Sequence, residues 1–149
     1  MTVDGHEIEL SLWDVAGQEE SDRVRILSYD NTHVVMLCFC VDDRDSLENV
    51  VHQWLDEVTN HCPDAKLILV ALKCDLRDDP VVRRHRGNPV MYEEGLAIAR
   101  SINAACYLEC SAMHNRGVHE CFEQACRVAM TVKLRASPDH SRFKECIIL

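Results

Sequence analysis

Two continuous apolar runs constrain the fold of this chain more than any other feature of its sequence. They span residues 34–41 and 67–72 and are rich in β-branched side chains. Runs of this kind are typical of strands inside a parallel sheet, because helices cover both faces of such a sheet. Residues 6–14 alternate apolar and polar side chains as a half-buried strand does, and residues 105–110 resemble a shorter strand.

Segments with helical periodicity lie between and after these strands. One apolar stripe covers residues 47–58 behind an expected helix cap at Asp45 or Ser46, and a second covers residues 118–132. A weaker helix is expected over residues 93–103. The alternation of strands and helices predicts an α/β domain with a doubly wound, mostly parallel sheet.

Two polar segments separate the predicted strands and helices. Asp4-Gly5 predicts a hairpin turn just before the first strand. Residues 78–92 contain two prolines and the basic run at 83–86, and we interpret them as a solvated loop, with a dedicated docking patch as the alternative.

Composition narrows the possible partners. The 149 residues include 25 acidic and 16 basic side chains and carry a formal net charge of −9. A nucleic-acid partner needs a positive field, so none is expected. Nine cysteines without a regular framework favour a reduced setting, in which they act as buried small hydrophobes. The alternative is zinc, bound by Cys106 with Cys110 or by Cys121 with Cys126 and the nearby residues His114 and His119.

Polar residues follow three of the predicted strands, where a doubly wound sheet binds its ligands. Asp14 is followed by Ala16, Gly17 and Gln18, which supply a carboxylate for hydrated Mg²⁺, a backbone N–H for phosphate and an amide for water. Lys73-Cys74-Asp75-Leu76 follows the third apolar strand, where a carboxylate can accept two N–H donors from a guanine edge. Ser111-Ala112-Met113 follows the fourth, where small residues leave backbone N–H groups available.

The order and spacing of these clusters resemble those of a Ras-superfamily small GTPase, specifically of the Rho family. LWDVAGQEE resembles the family's switch II motif, LKCDL its guanine-specificity motif and ECSAM its third guanine loop. The resemblance runs from about Thr2 to Leu149. It implies a small GTPase domain over residues 1–132, with a shortened Rho insert at about 78–92, and a flexible tail over residues 133–149.

The resemblance also implies a role for each site residue. Asp14 would support Mg²⁺ through water, Gly17 would contact the γ-phosphate, and Gln18 would position the hydrolytic water as the catalytic residue. Asp75 would recognise guanine, Lys73 would pack along the base, and Ala112 would donate its N–H to the guanine oxygen. The remaining expected GTP-binding residues are Ala16, Leu76, Ser111 and Met113.

The parts of the family fold that would precede this sequence are not found in it. The family's first strand, its phosphate loop G-x-x-x-x-G-K-S/T, its first helix and most of its second strand have no counterpart, and no G-K-S or G-K-T occurs. The absent strand is interior in the family, so two apolar strand edges are expected roughly 10 Å apart. The simplest interpretation is an N-terminally shortened GTPase.

The last four residues, Cys146-Ile147-Ile148-Leu149, form a C-a-a-X box that favours geranylgeranylation of Cys146. Attachment to the cytoplasmic face of the plasma membrane or of endomembranes, with a cytosolic pool, is therefore expected. One lipid chain gives only marginal membrane residence, and the thin basic stretch at 133–144 is a weak second signal.

Three functions are compatible with these patterns. The first is a GTP-hydrolysing molecular switch that uses GTP, GDP and Mg²⁺ and is controlled by exchange factors, activating proteins and dissociation inhibitors acting upstream of effectors. The second is a nucleotide-free fragment that binds such regulators or effectors. The third is an unrelated doubly wound domain that uses its carboxylates for another ligand.

We predict that the 149-residue chain alone is poorly stable and binds GTP weakly or not at all, because the phosphate-gripping residues are absent and interior strand edges are exposed. Differential scanning calorimetry and nucleotide analysis of the purified chain test this. A cooperative transition together with stoichiometric retained guanine nucleotide would show the prediction to be wrong.

Overall fold

The computed structural model describes residues 1–15, 22–132 and 144–148, and the side chains of all these except residues 22–24, 86 and 144–148. Within them the strands are β1 (Thr2–Val3), β2 (His6–Leu12), β3 (Val34–Cys40), β4 (Lys66–Leu72), β5 (Cys106–Glu109) and β6 (Lys144–Ile148). The helices are α1 (Asp22–Ser28), α2 (Arg44–Asn49), α3 (Leu55–His61), α4 (Pro80–Arg86), α5 (Tyr92–Ser101) and α6 (Val118–Ala129).

The six strands form one sheet in the order β1-β2-β6-β3-β4-β5. The β1–β2 hairpin is antiparallel, and all the other pairings are parallel. The predicted Asp4-Gly5 turn is confirmed: both residues have positive φ, 50° and 80°, as a two-residue hairpin turn requires. The predicted α/β fold with a mostly parallel sheet is likewise confirmed.

Apolar side chains cover both faces of the sheet, because successive residues of a strand point to opposite sides. On one face Val35, Leu37 and Phe39 of β3 belong to a cluster that includes residues of α2, α3 and α5. On the other face Val34, with Ile68 and Val70 of β4, belongs to a cluster that includes the small buried residues of α6. The continuous apolar runs in the sequence are explained by this two-sided burial.

The helical stripe at residues 47–58 belongs to α2 and α3, which are joined by one π-helical segment, Val50–Trp54. The cap is Asp43, whose side chain accepts a hydrogen bond from the Ser46 N–H at 3.3 Å, and not Asp45 or Ser46 as predicted. The prediction was wrong because a capping residue lies outside the helix, and here that residue is part of the turn leaving β3.

The polar segment at residues 78–92 is not only a loop, since it contains α4. Asp79 caps this helix by accepting a hydrogen bond from the Val81 N–H at 2.7 Å, and Pro80 occupies the first helical position, where no N–H is needed. The helix expected at residues 93–103 is α5, which ends earlier, at Ser101.

β6 lies within residues 133–149, where the sequence predicts a flexible tail. Residues 144–148 form a strand between β2 and β3, where the sequence predicted two unpaired edges, while residues 133–143 lie outside the described part of the chain. The physical reason is that backbone N–H and C=O groups favour pairing, and a strand in this position pairs with β2 over five residues and with β3 at Val34. None of the described helices is long and apolar enough to cross a membrane.

Gly95 allows α5 to pack against β5 more closely than any side chain at this position would permit. A Cβ at this position would overlap the hydroxyl of Tyr107 on β5, and that hydroxyl donates to Glu109 Oε1 at 2.7 Å. The tyrosine ring also packs against Tyr92 at 5.3 Å between centroids, so it has little freedom to move.

We therefore expect Gly95→Ala to lower the free energy of unfolding by about 1–3 kcal/mol through overpacking, although alanine is the better helix former. Chemical denaturation measures the change. Ala97→Gly on the exposed side of the same helix is the control, with an expected loss of about 1 kcal/mol from helix propensity alone. Stabilisation by Gly95→Ala would contradict the packing argument.

Candidate functional site

The carboxyl ends of β4 and β5 lie side by side, with Ala71 in register with Glu109. The carboxyl end of β2 is staggered from them, because Leu12 is level, through Ile148, with Val34 at the start of β3. Asp14 follows β2, and Leu72 ends β4. Both line one cavity of about 620 Å³ together with Ala112, which follows β5. The structure therefore brings the first and third predicted clusters to a common space, whose walls are mainly apolar.

The second cluster, after β4, is joined to the third by backbone hydrogen bonds. The Cys74 N–H donates to the Cys110 carbonyl at 3.1 Å, and the Cys110 N–H donates to Ala71 at 2.9 Å. Lys73 adopts the left-handed conformation, with φ 56° and ψ 38°, and starts a 3₁₀ turn over Cys74–Asp78. This backbone reversal leaves the Lys73 side chain exposed at the rim of the sheet.

Asp75 is held by the third cluster. Hydrogen bonding by the fully buried Ser111 hydroxyl is the largest cause of a lowered pKa of the Asp75 carboxyl. Ser111 Oγ in turn accepts from the His114 N–H at 3.2 Å. The Oδ1 atom of Asp75 is buried and has no hydrogen-bond partner among the described residues. Asp75 is thus an oriented carboxylate with an unused acceptor.

The loop after β5 is closed by its own backbone. Ser111 and Arg116 exchange two hydrogen bonds, at 2.8 and 2.9 Å, and the Asn115 N–H donates to the Ala112 carbonyl at 3.2 Å. Within the described residues no hydrogen bond uses the N–H of Ala112 or Met113, so both donors remain for a ligand. The Met113 side chain is 83% exposed and takes no part in packing.

Gly117 is required where this loop turns into α6. Its φ is 75°, and a Cβ would collide with the Glu109 carbonyl oxygen at the end of β5. The neighbouring Arg116 donates to the Cys74 sulfur at 3.3 Å, which adds a side-chain bond between the second and third clusters.

Asp14 is exposed and stands apart from the Asp75 carboxylate, which does not line the cavity. Its oxygens suit a hydrated hard cation such as Mg²⁺. The part of the chain that the structure describes contains no group of three or more His, Cys, Asp or Glu side chains placed to hold a metal. Neither zinc alternative therefore has a metal centre there, and Asp14 could act only as one ligand among others.

The remaining predicted residues are placed as follows. Leu76 packs against the core, and its N–H donates to the Lys73 carbonyl at 2.9 Å. It therefore supports the loop after β4 from the side of the core. Ala16, Gly17 and Gln18 lie outside the described residues, and their roles stay predictions.

Sequence reasoning missed the ion pair that braces the second cluster. Arg77 donates to both carboxylate oxygens of Glu109, at 2.8 and 2.6 Å, and to the Val90 carbonyl at 3.0 Å. Both side chains are largely buried, and Tyr107 donates to the same carboxylate. The only signal in the sequence was one charged residue at the end of β5 and one among the charged residues of the loop after β4.

It also missed a second buried pair beside the cavity. Arg25 of α1 donates to both oxygens of Glu57, at 2.6 and 2.8 Å, and lies over the Trp54 ring at 5.2 Å. Tyr29 donates to the same carboxylate at 2.6 Å. These contacts fix α1 against α3 and close one wall of the cavity.

We expect Ser111→Ala to raise the pKa of Asp75 towards its ordinary value, because the strongest hydrogen bond to the charged form is removed. A lowered pKa stabilises the fold above the unfolded-state value of about 3.9, and this contribution is lost as the pH falls through the folded-state pKa. The stability difference between the two proteins should therefore be larger at pH 7 than below pH 3.

The measurement is an NMR titration of the Asp75 carboxyl carbon combined with denaturation at both pH values. Ser101→Ala is the control, because that hydroxyl donates only to the Ile98 carbonyl and is exposed. An unchanged Asp75 titration in Ser111→Ala would contradict the assigned hydrogen bond.

Comparison with known proteins gives consistent matches along most of the chain. The family model described as "Ras family" matches residues 1–131. GTP-binding protein rho3 of Schizosaccharomyces pombe is 56% identical over 149 residues, which cover 98% of this chain and 73% of that protein.

Two further relatives agree with this match. GTP-binding protein Rho3 of Schizophyllum commune is 60% identical over 119 residues, which cover 77% of this chain and 58% of that protein. GTP-binding protein rho1 of S. pombe is 47% identical over 154 aligned positions, which cover 99% of this chain and 76% of that protein.

Proposed function

Because the chain belongs to the Ras family and, within it, to the Rho-type small GTPases, we propose that its candidate site is the base-binding part of a guanine-nucleotide switch. The loops after β4 and β5 would hold the base, and the rim at Asp14 would face the phosphates. The activity proposed for the intact site is GTP hydrolysis, with the GTP-bound and GDP-bound forms read differently by partner proteins.

The buried, unused Oδ1 atom of Asp75 is the observation that carries this proposal. A guanine edge presents an N–H and an amino group side by side, which match the two oxygens of one carboxylate. The lowered pKa keeps that carboxylate charged at neutral pH. The available N–H groups of Ala112 and Met113 suit the guanine oxygen, and the exposed Lys73 stem suits the face of the base.

The part of the candidate site that would face the phosphates offers far fewer groups that bind them. No G-K-S or G-K-T occurs in the 149 residues, so the lysine and the cradle of N–H groups that a phosphate loop supplies have no counterpart. Asp14 would hold Mg²⁺ through water, and Gln18 would position the attacking water for hydrolysis. We therefore propose that this chain by itself recognises the base and gains little from the phosphates.

Regulators and effectors are proposed to bind near α1. Ile26 and Leu27 on this helix are exposed, Leu27 at 77%, and Trp13 at the end of β2 is 55% exposed. Exposed apolar side chains in one region are typical of a protein-binding surface. Exchange factors, activating proteins, dissociation inhibitors and effectors are the classes of partner that the family implies.

Lipid attachment is also part of the proposal. Geranylgeranylation of Cys146 in the box Cys146-Ile147-Ile148-Leu149 would anchor the protein to the cytoplasmic face of a membrane, with an unattached cytosolic pool. Lys133, Arg135, Arg142 and Lys144 would add weak attraction to anionic lipids, since a single lipid chain binds only marginally.

Binding of guanosine, GDP and GTP to the purified chain, measured by isothermal titration calorimetry or ligand-observed NMR, tests base recognition directly. We expect affinities within about threefold of one another, because most contacts are to the base. Asp75→Asn should weaken guanosine binding by about tenfold to a hundredfold, the usual value of hydrogen bonds to a charged group. The same variant should bind xanthosine better than guanosine, because an amide matches the xanthine edge.

Asp78→Asn is the matched control, since Asp78 is the exposed last residue of the 3₁₀ turn and pairs with Arg83. The nucleotide-free alternative is favoured by the absent phosphate loop, and it predicts that none of the three ligands binds although partner proteins do. Tight binding of GTP with no binding of guanosine would contradict the assignment of the base site.

A further inference from the structure

Arg77 is hydrogen-bonded to two other parts of the chain. Its Nη1 and Nη2 atoms donate to the two carboxylate oxygens of Glu109 at the end of β5, at 2.8 and 2.6 Å. Its Nε atom donates to the Val90 carbonyl at 3.0 Å, and the Val90 N–H donates at 2.8 Å to the carbonyl of Val41, just after β3. The guanidinium therefore ties the 3₁₀ turn after β4 to the ends of both neighbouring strands.

Glu109 is fixed in turn by Tyr107, two residues earlier on β5. The Tyr107 hydroxyl donates to Glu109 Oε1 at 2.7 Å, and the ring packs against Tyr92 at the start of α5 with 5.3 Å between ring centroids. Burial raises the pKa of Glu109, but the hydrogen bonds from Arg77 and Tyr107 outweigh burial and lower this pKa below its ordinary value. The carboxylate is therefore charged at neutral pH and held from two sides.

The loops after β4 and β5 are joined on both sides of Asp75. Before it, the Cys74 N–H donates to the Cys110 carbonyl at 3.1 Å, and after it, Arg77 binds Glu109. A single hydrogen bond leaves one loop free to turn about the other, whereas two separate connections fix the angle between them. Because the contact between guanidinium and carboxylate is bidentate, it fixes direction as well as distance.

This ion pair is better suited to positioning than to stabilisation. The side chains of Arg77 and Glu109 are only 14% and 17% exposed. Transfer of two charges out of water costs free energy that offsets much of their attraction, so such a pair adds little net stability compared with apolar side chains. An apolar pair could not supply the fixed orientation of two parallel hydrogen bonds.

We propose that Arg77 and Glu109 are positioning residues for base recognition, whose ion pair sets the separation of the two loops that hold the base. This inference rests on the proposed guanine site. There the Asp75 carboxylate would accept hydrogen bonds from the N–H and the amino group of guanine, while the N–H groups of Ala112 and Met113 would donate to its oxygen. All these contacts form together only when the loops are held at one separation.

Guanosine and inosine distinguish positioning from stability. Inosine lacks only the 2-amino group of guanosine, so the ratio of the two affinities measures the hydrogen bond between that group and Asp75. A variant that merely lowers the folded fraction weakens the binding of both ligands by the same factor and leaves the ratio unchanged. A variant that displaces the carboxylate lowers the ratio, because a hydrogen bond weakens steeply as its geometry is distorted.

The experiment measures both affinities by ligand-observed NMR for the 149-residue chain and for two conservative variants. We expect the chain to bind guanosine about tenfold to a hundredfold more tightly than inosine, the usual value of a hydrogen bond to a charged group. Arg77→Lys keeps the positive charge without the fork, and Glu109→Gln keeps the shape without the negative charge. Each variant should lower the ratio by at least about threefold.

Arg44→Lys is the matched control. Arg44 forms an exposed ion pair with Glu94 at 2.7 Å, and neither residue belongs to the loops after β4 and β5. The ratio should therefore equal that of the 149-residue chain. Tyr107→Phe is the mildest variant, because it removes only the hydroxyl that holds Glu109 from the side of α5. It should lower the ratio by about twofold, since the bonds from Arg77 remain.

The outcomes separate the two proposals. Equal binding of guanosine and inosine by the 149-residue chain, or binding of neither, overturns the assignment of the base site and, with it, this inference. A preference for guanosine that either Arg77→Lys or Glu109→Gln retains in full overturns only the positioning role, even if both affinities fall together. If neither of these variants binds a ligand, an unchanged ratio in Tyr107→Phe overturns the positioning role instead.

Discussion

Backbone pairing at the centre of the sheet is the constraint on which the rest of the structure depends. β3, β4 and β5 form a continuous parallel unit, but the β1–β2 hairpin joins it only through an intervening strand. An interior strand edge cannot stay unpaired without a cost comparable to its lost hydrogen bonds. Residues 144–148 fill that position along β2 and at the start of β3, while β4 and β5 end side by side at one edge. Asp14 after β2 reaches the loops at that edge only through the cavity that it lines together with Leu72 and Ala112.

At that edge, stability and ligand recognition use the same hydrogen bonds. The bond from Cys74 to Cys110 and the bond from Arg116 to the Cys74 sulfur hold the loops after β4 and β5 together, and the Ser111 hydroxyl lowers the pKa of Asp75 between them. They also orient the carboxylate that we assign to the guanine edge. The Arg77–Glu109 pair supports both loops from the side of the core. A substitution in this network would therefore change folding and base recognition together.

Much of the fold could be predicted from the sequence, because the local spacing of apolar residues indicates which positions are buried. The apolar runs of β3 and β4 and the stripe of α6 have the periodicities that two-sided or one-sided burial requires. The strand at residues 144–148 could not be predicted this way, since its position is decided by partners at the other end of the chain. The same limit applies to the Arg25–Glu57 and Arg77–Glu109 pairs, whose members are brought together only by the fold. Asp75 and Ser111 were found because each follows a strand, but the bond between them was not.

The position of β6 has a consequence for the order in which the molecule folds. Its partners in β2 lie at the opposite end of the sequence, so the contact that completes the sheet is among the least local in the chain. Closing such a large loop costs chain entropy before any strand pairing offsets that cost. The unit formed by β3, β4 and β5 can therefore assemble before residues 144–148 join it to the β1–β2 hairpin. During that interval the free edge of β3 is open to strands of other copies, and the kinetics of this closing step govern the competition between native assembly and aggregation.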